Sequence, residues 1–347
     1  TEAVYSNQLA YNWLLKSGVQ YNYVKNTNDN SSTGRLPLIP DYQSSQVSGY
    51  TILQKKLSKF FFEVGGRYDY KLLQVVAISR SLPHEIIRDN RNFNNYSISA
   101  GAKYSFLENL DVKLDLGFVQ RAPEVNELYS SGLHQGLASI EYGNPNLLSE
   151  KSAKALLTID YHFQQKIYFQ VTGYYQQISN YIYLQPTGNY ELTISGSFPI
   201  FEYTQTDAQI YGFDFLASYQ ATDKLKLVAK YAYLKGDDLR FAIPLIYMPP
   251  NNLLLSANYS IKNMGKWTNN GIEISGKYVA EQKGLLPEQD FLAPPKAYFL
   301  LGAEANSTIN FESTSLDFGL RVENALNTEY RDYLNRLRYF ADALGIN

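Results

Sequence analysis

Residues 110–121 read LDVKLDLGFVQR, and the rest of the chain is interpreted from this stretch. Leu110, Val112, Leu114, Leu116 and Phe118 fall on one side of a two-residue repeat. Asp111, Lys113, Asp115 and Gly117 fall on the other. Side chains alternate across a strand, so this is a strand with one apolar and one charged face. At Arg121-Ala122-Pro123 the alternation stops. It resumes at SAKALLTIDYHF (152–163), beyond an irregular segment that holds one of the three histidines.

The same alternation recurs along the chain. Ile167, Phe169, Val171 and Tyr175 oppose Tyr168, Gln170, Thr172 and Tyr174, and Leu225, Leu227, Ala229 and Tyr231 oppose Lys224, Lys226 and Lys230. Thirteen strands are read this way: 13–26, 45–57, 59–73, 94–106, 109–121, 150–163, 165–181, 202–219, 224–235, 250–261, 269–280, 295–305 and 313–324. Helical spacing is confined to 123–129 and to 328–340, where Tyr330, Tyr333, Leu334 and Leu337 recur at helical intervals. Short connections at 57–59, 107–109, 164–165, 221–224 and 263–269 alternate with long ones at 27–44, 74–93, 122–149, 182–201, 236–249 and 281–294.

Short turns at one end and long loops at the other are the pattern of a transmembrane antiparallel β-barrel. A soluble sandwich or propeller also alternates, but three details favour the barrel. The strands exceed the five or six residues usual in soluble sheets. Their polar faces are often charged, which suits a wet lumen. Tyr68, Tyr70, Tyr175, Tyr219, Tyr231 and Tyr233 gather at strand ends, where interfacial girdles lie.

Composition agrees. The 347 residues are 45% apolar and 15% aromatic, with 31 Tyr and 18 Phe against 2 Trp. Rings with one apolar and one wet end suit an interface. A net charge of −2 gives no basic surface for nucleic acid. With no cysteine, disulfides, thiolate metal sites and Cys nucleophiles drop out together. No apolar run reaches the length of a membrane helix, and no leader pattern is visible at the start, TEAVYSNQLAYNW. The expectation is a mature protein or a piece of a longer one.

Catalysis finds little support, and no cofactor is expected. His84, His134 and His162 are far apart and lack metal-ligand spacing, and no glycine-rich phosphate loop follows a strand. Asp111 and Asp115 read as a hydrated lumen wall. His162 reads as a lumen residue near a short turn and His84 as a solvated loop residue. His134 is the one histidine in the interval between Pro123 and Pro145.

QRAPEVNELYSSGLHQG (120–136) and EYGNPNLLSEKS (141–152) together resemble the FRAP and NPNL boxes of TonB-dependent outer-membrane receptors. Arg121, Ala122 and Pro123 match the first box, with Gln120 where Phe is usual. Asn144, Pro145, Asn146 and Leu147 match the second. EVGGRYDY (63–70) and LRVENALNTEYRDYLNRLRYF (320–340) resemble other signatures of the family, closest to iron-complex receptors of Bacteroidota type. The resemblance implies a barrel of 22 strands around an N-terminal plug. It also implies uptake energised by the TonB–ExbB–ExbD system, contact with outer-membrane lipid and lipopolysaccharide, a small iron-complex ligand, and a surface lipoprotein as a further partner. The 347 residues are then expected to be the C-terminal part of the barrel, lacking the plug, about eight earlier strands and the last one.

On this reading the chain is part of an outer-membrane importer of a scarce nutrient, a ferric siderophore or other iron complex. The alternatives are a haem receptor using His134, a passive porin, and a soluble extracellular binding protein. Loops on a rigid scaffold carry binding, so Tyr129, His134, Tyr142, Tyr190, Tyr203, Arg240 and Tyr247 are the candidate ligand contacts. Arg240 suits an anionic chelate such as citrate, and the rings suit catecholates. In haem receptors of this family a histidine between the two boxes can ligate haem, and His134 stands there. Pro123 ends the strand ladder and suits the first turn of a short helix, while GNPN reads as a turn, so both boxes are loop hinges as well.

Overall fold

A computed structural model describes residues 1–28, 36–79, 83–164 and 166–343. The middle of the expected loops at 27–44 and 74–93, the second residue of the turn at 164–165, and residues 344–347 of the terminal FADALGIN lie outside the described residues.

The strands in chain order are β1 (Glu2–Leu9), β2 (Trp13–Asn26), β3 (Asp41–Leu57), β4 (Phe60–Ile78), β5 (Ile86–Leu107) and β6 (Leu110–Arg121). A five-residue helix, α1 (Val125–Tyr129), and a small hairpin of β7 (Ser131–His134) and β8 (Ser139–Tyr142) follow. Then come β9 (Glu150–Phe163), β10 (Ile167–Thr193), β11 (Gly196–Gln220), β12 (Leu225–Asp238), the two-residue β13 (Ile243–Pro244), β14 (Asn252–Ser260), β15 (Trp267–Val279), β16 (Tyr298–Asn310) and β17 (Ser315–Val322). All 17 join one sheet. Without β7, β8 and β13, which belong to outer loops, fourteen strands form a wall in which each runs antiparallel to the next. Among the described residues β1 pairs only with β2, and β17 only with β16, so the wall is open at both edges.

The register fixes what each face carries. Leu114 lies opposite Leu157, and Leu157 opposite Gly173, so the apolar residues of β6, β9 and β10 form one continuous row. Leu255 and Leu320 on this face are 52% and 70% exposed. Water would penalise that area by about 25 cal/mol per Å², whereas hydrocarbon accepts it. The other face is laced by polar contacts. Asp69 receives Ser48 Oγ, Gln46 Nε2 at 2.9 Å and Arg67 Nε at 2.9 Å, and Lys103 pairs with Asp111 at 2.7 Å. His162 stacks on Tyr168 on this face, with ring centres 4.5 Å apart.

The apolar core lies at the long-loop end. There Leu73 and Val75 of β4 pack against Val125, Leu128 and Tyr129 of α1, with Leu147 and Ile182. At this level β10 bulges, and carboxylates take up backbone N–H groups there and at the turn after β12. Between Ile178 and Tyr181 the β10 register slips, with Asn180 at φ +58°. Glu150 Oε1 accepts from Ile182 N at 2.6 Å, Asp207 Oδ1 from Asn180 N at 3.1 Å, and Asp238 Oδ1 from Arg240 N at 2.9 Å.

All thirteen expected strands are present, and four expectations change, the first at 74–93, where β4 and β5 pair out to Ile78 and Ile86 and leave a connection of only 79–85. The segment 2–9 is a strand as well, pairing Glu2 with Gln20 through to Leu9 with Trp13. Residues 182–201 are no loose loop: β10 and β11 continue as a hairpin 27 and 25 residues long, closed at Thr193–Gly196. The region 328–340 is helical only in a 3₁₀ turn at Arg336–Tyr339. Asp332 and Asn335 side chains accept from the backbone N–H groups of Leu334 and Leu337, a competing use of donors that a helix would need.

An open edge in lipid strands a row of backbone donors and acceptors, each costing several kcal/mol by order of magnitude. These 347 residues refolded alone in detergent are therefore expected to give no heat-modifiable barrel band on gels. A compact band that shifts on boiling would contradict this account of the edges.

Candidate functional site

The break after β6 is built by one arginine. Arg121 Nη1 donates to Glu127 Oε2 at 2.8 Å and its Nε to Glu150 Oε2 at 2.6 Å, tying α1 to the start of β9. Pro123, fully buried, has no N–H to extend the ladder. Glu124 begins α1 with a capping box, its backbone N–H donating to Glu127 Oε2 at 2.7 Å. The second box closes the excursion. Asn144 N donates to Glu127 O at 2.8 Å, Asn146 N to Asn144 Oδ1 at 2.9 Å, and Leu147 enters the core. A Cβ on Gly143 would lie 2.4 Å from Tyr129 N and 2.5 Å from Leu128 C, so glycine alone permits this backbone approach. Both boxes thus seat the outer loop on the wall.

The hairpin that follows carries a polar knot. β8 pairs in parallel with β11, Ile140 opposite Ile200, which buries Ile140 and Glu141. His134 Nδ1 lies 3.0 Å from Glu141 Oε1. The same oxygen receives Arg336 Nη1 at 2.7 Å, while Arg336 Nη2 donates to Ser139 Oγ at 2.9 Å. The Arg336 guanidinium lies 4.3 Å from the centre of the buried Phe201 ring. A segment after β17 is therefore clamped onto a hairpin 195 residues earlier in the chain.

A second knot lies beside it. Arg338 and Asp290 form an ion pair with side chains only 2% and 5% exposed. Tyr339 donates to Asp290 Oδ1 at 2.6 Å, its hydroxyl is 3.0 Å from that of Tyr247, and Tyr333 Oη accepts from Tyr247 N at 3.2 Å. Arg338 stacks over Tyr333 and Tyr339 at 4.9 and 4.7 Å. Burial, then the neighbouring Tyr339 and Asp290 charges, push the Tyr247 phenol far above the ordinary range. Burial and Asp290 do the same to Tyr339. Both stay neutral hydroxyls at any working pH. Phe291 bridges the two knots, with ring centres 5.2 Å from Phe201 and 5.9 Å from Tyr339.

The candidate contacts separate accordingly. His134, Tyr142 and Tyr247 belong to these knots or their border, Tyr142 donating to Glu191 of β10. Tyr190 stands 58% exposed on the β10–β11 hairpin, edge-on to Phe291. Tyr203 accepts from Asn126 Nδ2 at 3.0 Å and braces α1. Tyr129 is a wall anchor rather than an exposed contact, since it is buried and donates to Asp89 under Arg91. Its phenol is pushed up to about 12, first by burial and then by that carboxylate. Arg240 is exposed on the β12–β13 turn and makes no side-chain ion pair among the described residues. Sequence reasoning missed Glu141, Phe201, Asp290, Arg336 and Arg338. The interleaving of Arg and Tyr in NRLRYF (335–340) was the one available signal.

A protein-family model described as TonB dependent receptor-like, beta-barrel, matches residues 2–325. The chain belongs to the TonB-dependent receptor family. It is thus an outer-membrane β-barrel chain, with its short turns periplasmic and its long loops extracellular. Among solved structures it is similar to the copper transporter OprC (TM-score 0.76, 18% identity, 99% of this chain and 53% of that one). It is also similar to the FrpB iron transporter from Neisseria meningitidis, F3-3 variant (0.67, 15%, 99% and 52%). A third is the Serratia marcescens hemophore receptor HasR, a double mutant in complex with its hemophore HasA and heme (0.62, 14%, 93% and 58%). At these identities the likeness is one of fold, and the chain spans about half the length of these receptors. No curated protein sequence matches the chain.

Two substitutions test this architecture in the whole receptor. Asp290→Asn leaves Arg338 buried without its counter-charge, a loss of roughly 3–5 kcal/mol. Limited proteolysis of intact outer membranes should then cut within 282–296 and 330–340, where wild type resists. Arg321→Ala, which removes exposed pairs with Glu304 and Glu323 on the wall, should change little. Gly143→Ala should displace α1 and expose the 122–149 loop to the same protease, and an unchanged digestion pattern would contradict the close approach.

Proposed function

We propose that the chain forms the C-terminal wall and outer loops of an active importer energised through TonB, ExbB and ExbD, whose cargo is a ferric siderophore or other iron complex. On this reading the plug and the earlier strands belong to parts of the receptor outside these 347 residues. The observation that carries it is the meeting of Arg336, Phe201 and His134 around Glu141 at the extracellular end. Cationic donors beside aromatic faces suit an anionic, ring-bearing chelate. One guanidinium remains accessible: Arg240 is exposed and makes no side-chain ion pair among the described residues.

Ligand softness argues for a chelated hard ion over free copper. The chain has no Cys and 2 Met, so the thiolate and thioether ligands that select soft copper are scarce. The names of FrpB and HasR, an iron transporter and a hemophore receptor, point the same way, while that of OprC points to copper.

Haem is the second reading, favoured by one observation. His134 Nδ1 is held by Glu141, which leaves Nε2 as the ligating nitrogen. A carboxylate behind a ligating histidine is the usual support for such a bond.

The test uses cells in which this receptor is the sole route for radiolabelled ferric citrate, a ferric catecholate or haem. Uptake of one of these is expected to stop when a protonophore collapses the inner-membrane gradient. Uptake that persists would mean a passive porin. Arg336→Ala should weaken chelate binding about tenfold or more, as loss of a charge-assisted contact does. His134→Ala should abolish a haem Soret shift only if haem is the cargo, and unchanged haem binding would remove that reading.

A further inference from the structure

The lumen face of the wall treats its cations in two ways. On β4, β5 and β6 they are neutralised where they stand. Arg67 pairs with Asp69 at 2.7 Å, Lys71 with Glu124 at 3.2 Å, Lys103 with Asp111 at 2.7 Å and Lys113 with Asp115 at 2.9 Å.

On β12 and β15 they are not. The register carries the lumen face across to these strands. Tyr168, which stacks on His162, lies opposite Ser218, Ser218 opposite Val228, Val228 opposite Ser256, and Ser256 opposite Ser275. Lys226 and Lys230 flank Val228 on this face, and Lys277 follows two positions after Ser275. All three lysines are exposed and form no ion pair among the described residues. Two carboxylates share the face, Asp214 of β11 and Glu273 of β15, and neither comes within ion-pair distance of a lysine. Glu304 on β16 is held by Arg321 at 2.9 Å.

The three lysines descend the wall. Lys277 lies two residues below the extracellular end of β15 at Val279, and Lys226 is one residue into β12 from its short turn. Lys230 stands between them, about 10 Å from Lys277 across two strand spacings and about 13 Å from Lys226 along its own strand. Charges screen over about 8 Å at physiological salt, and low-dielectric walls focus the field along a cleft, so the three ammonium fields merge into one band. Leucines fill the places between. Leu216, Lys230, Leu254, Lys277 and Leu300 are successive cross-strand partners in a single row. A wall that needs only to be wet gains nothing from leucine on this side.

We propose that Lys277, Lys230 and Lys226 form a cationic stair that passes an anionic chelate down the lumen, its acidic oxygens moving from one ammonium to the next while its rings slide over Leu254 and Leu216. The stair rests on the import reading above and narrows it to an anionic cargo, since the same field repels a free metal cation.

The test uses cells in which the full receptor is the sole route for radiolabelled ferric citrate, a ferric catecholate or haem, with all three lysines changed to Gln. Binding to de-energised cells should stay at the wild-type level, because the loops are untouched. Energised uptake of the probe that wild type imports should fall about tenfold, the low end of what a charged cleft supplies. Replacing the three by Arg should restore it. Uptake by the Gln variant at the wild-type rate would overturn the proposal, and so would binding and uptake falling together. Faster passive entry of vancomycin into the variant cells would also overturn it, since the lysines would then hold a luminal domain in place. If wild type imports none of the three probes, or imports one despite a protonophore, the import reading itself fails and takes the stair with it. Should the triple variant give no heat-modifiable band, Lys230→Gln decides alone, with a loss of about twofold, one of three equal steps of the same tenfold effect.

Discussion

In hydrocarbon no water is present to satisfy a backbone N–H or C=O, and the rest of this chain follows from that. Each strand must pair on both sides, so the wall is built from long antiparallel ladders with every second side chain facing lipid. That is why a two-residue repeat runs through β6, β9, β10 and β12 with so little helix between them. It also displaces the protein's packed core. A soluble domain buries its apolar residues centrally, whereas here the lipid takes them, and the apolar cluster around Leu73 and Leu128 sits at the extracellular rim instead.

At that rim the boxes from Arg121 to Pro123 and from Asn144 to Leu147 act together as a mount. Arg121 spans from the last wall residue of β6 to a helix carboxylate and to the first residue of β9. The turn at Asn144 hydrogen-bonds back to Glu127. Their polar groups are largely spent on one another. The boxes therefore mark the family by the architecture they hold in place.

How much was legible follows from interaction range. Alternation is local, so the thirteen strands and the Pro123 break could be read directly, and so could α1. The strand at 2–9 was missed because Ser6, Asn7 and Gln8 blur the apolar face of a segment at the sheet edge. The extension of β10 and β11 was missed because above the membrane neither face must be apolar, and the repeat fades where water replaces lipid. The knots were invisible for another reason. Arg336 meets Glu141 across 195 positions and Arg338 meets Asp290 across 48, and no local period encodes either pairing. Six of the seven candidate loop residues, Tyr129, His134, Tyr142, Tyr190, Tyr203 and Tyr247, proved to contact other side chains. A tyrosine in a loop read from sequence is as much a bolt between loops as a surface for cargo.

The change from lipid to water is marked on the wall by three carboxylates. Glu150, Asp207 and Asp238 each accept a backbone N–H beside a bulge or turn, at Ile182, Asn180 and Arg240. In the hydrocarbon such a charge would cost several kcal/mol, and a bulge there would leave its freed N–H unpaired. A bulge capped by a carboxylate is tolerable only above the acyl chains. These residues therefore fix the upper boundary of the membrane independently of the tyrosine row, and they agree with it. Tyr175 lies three residues before the slip in β10 at Ile178, and Phe118 three residues before Arg121, the partner of Glu150. Beyond that line the chain is free of the lipid constraint, and the strands extend into the loops that the two knots tie together.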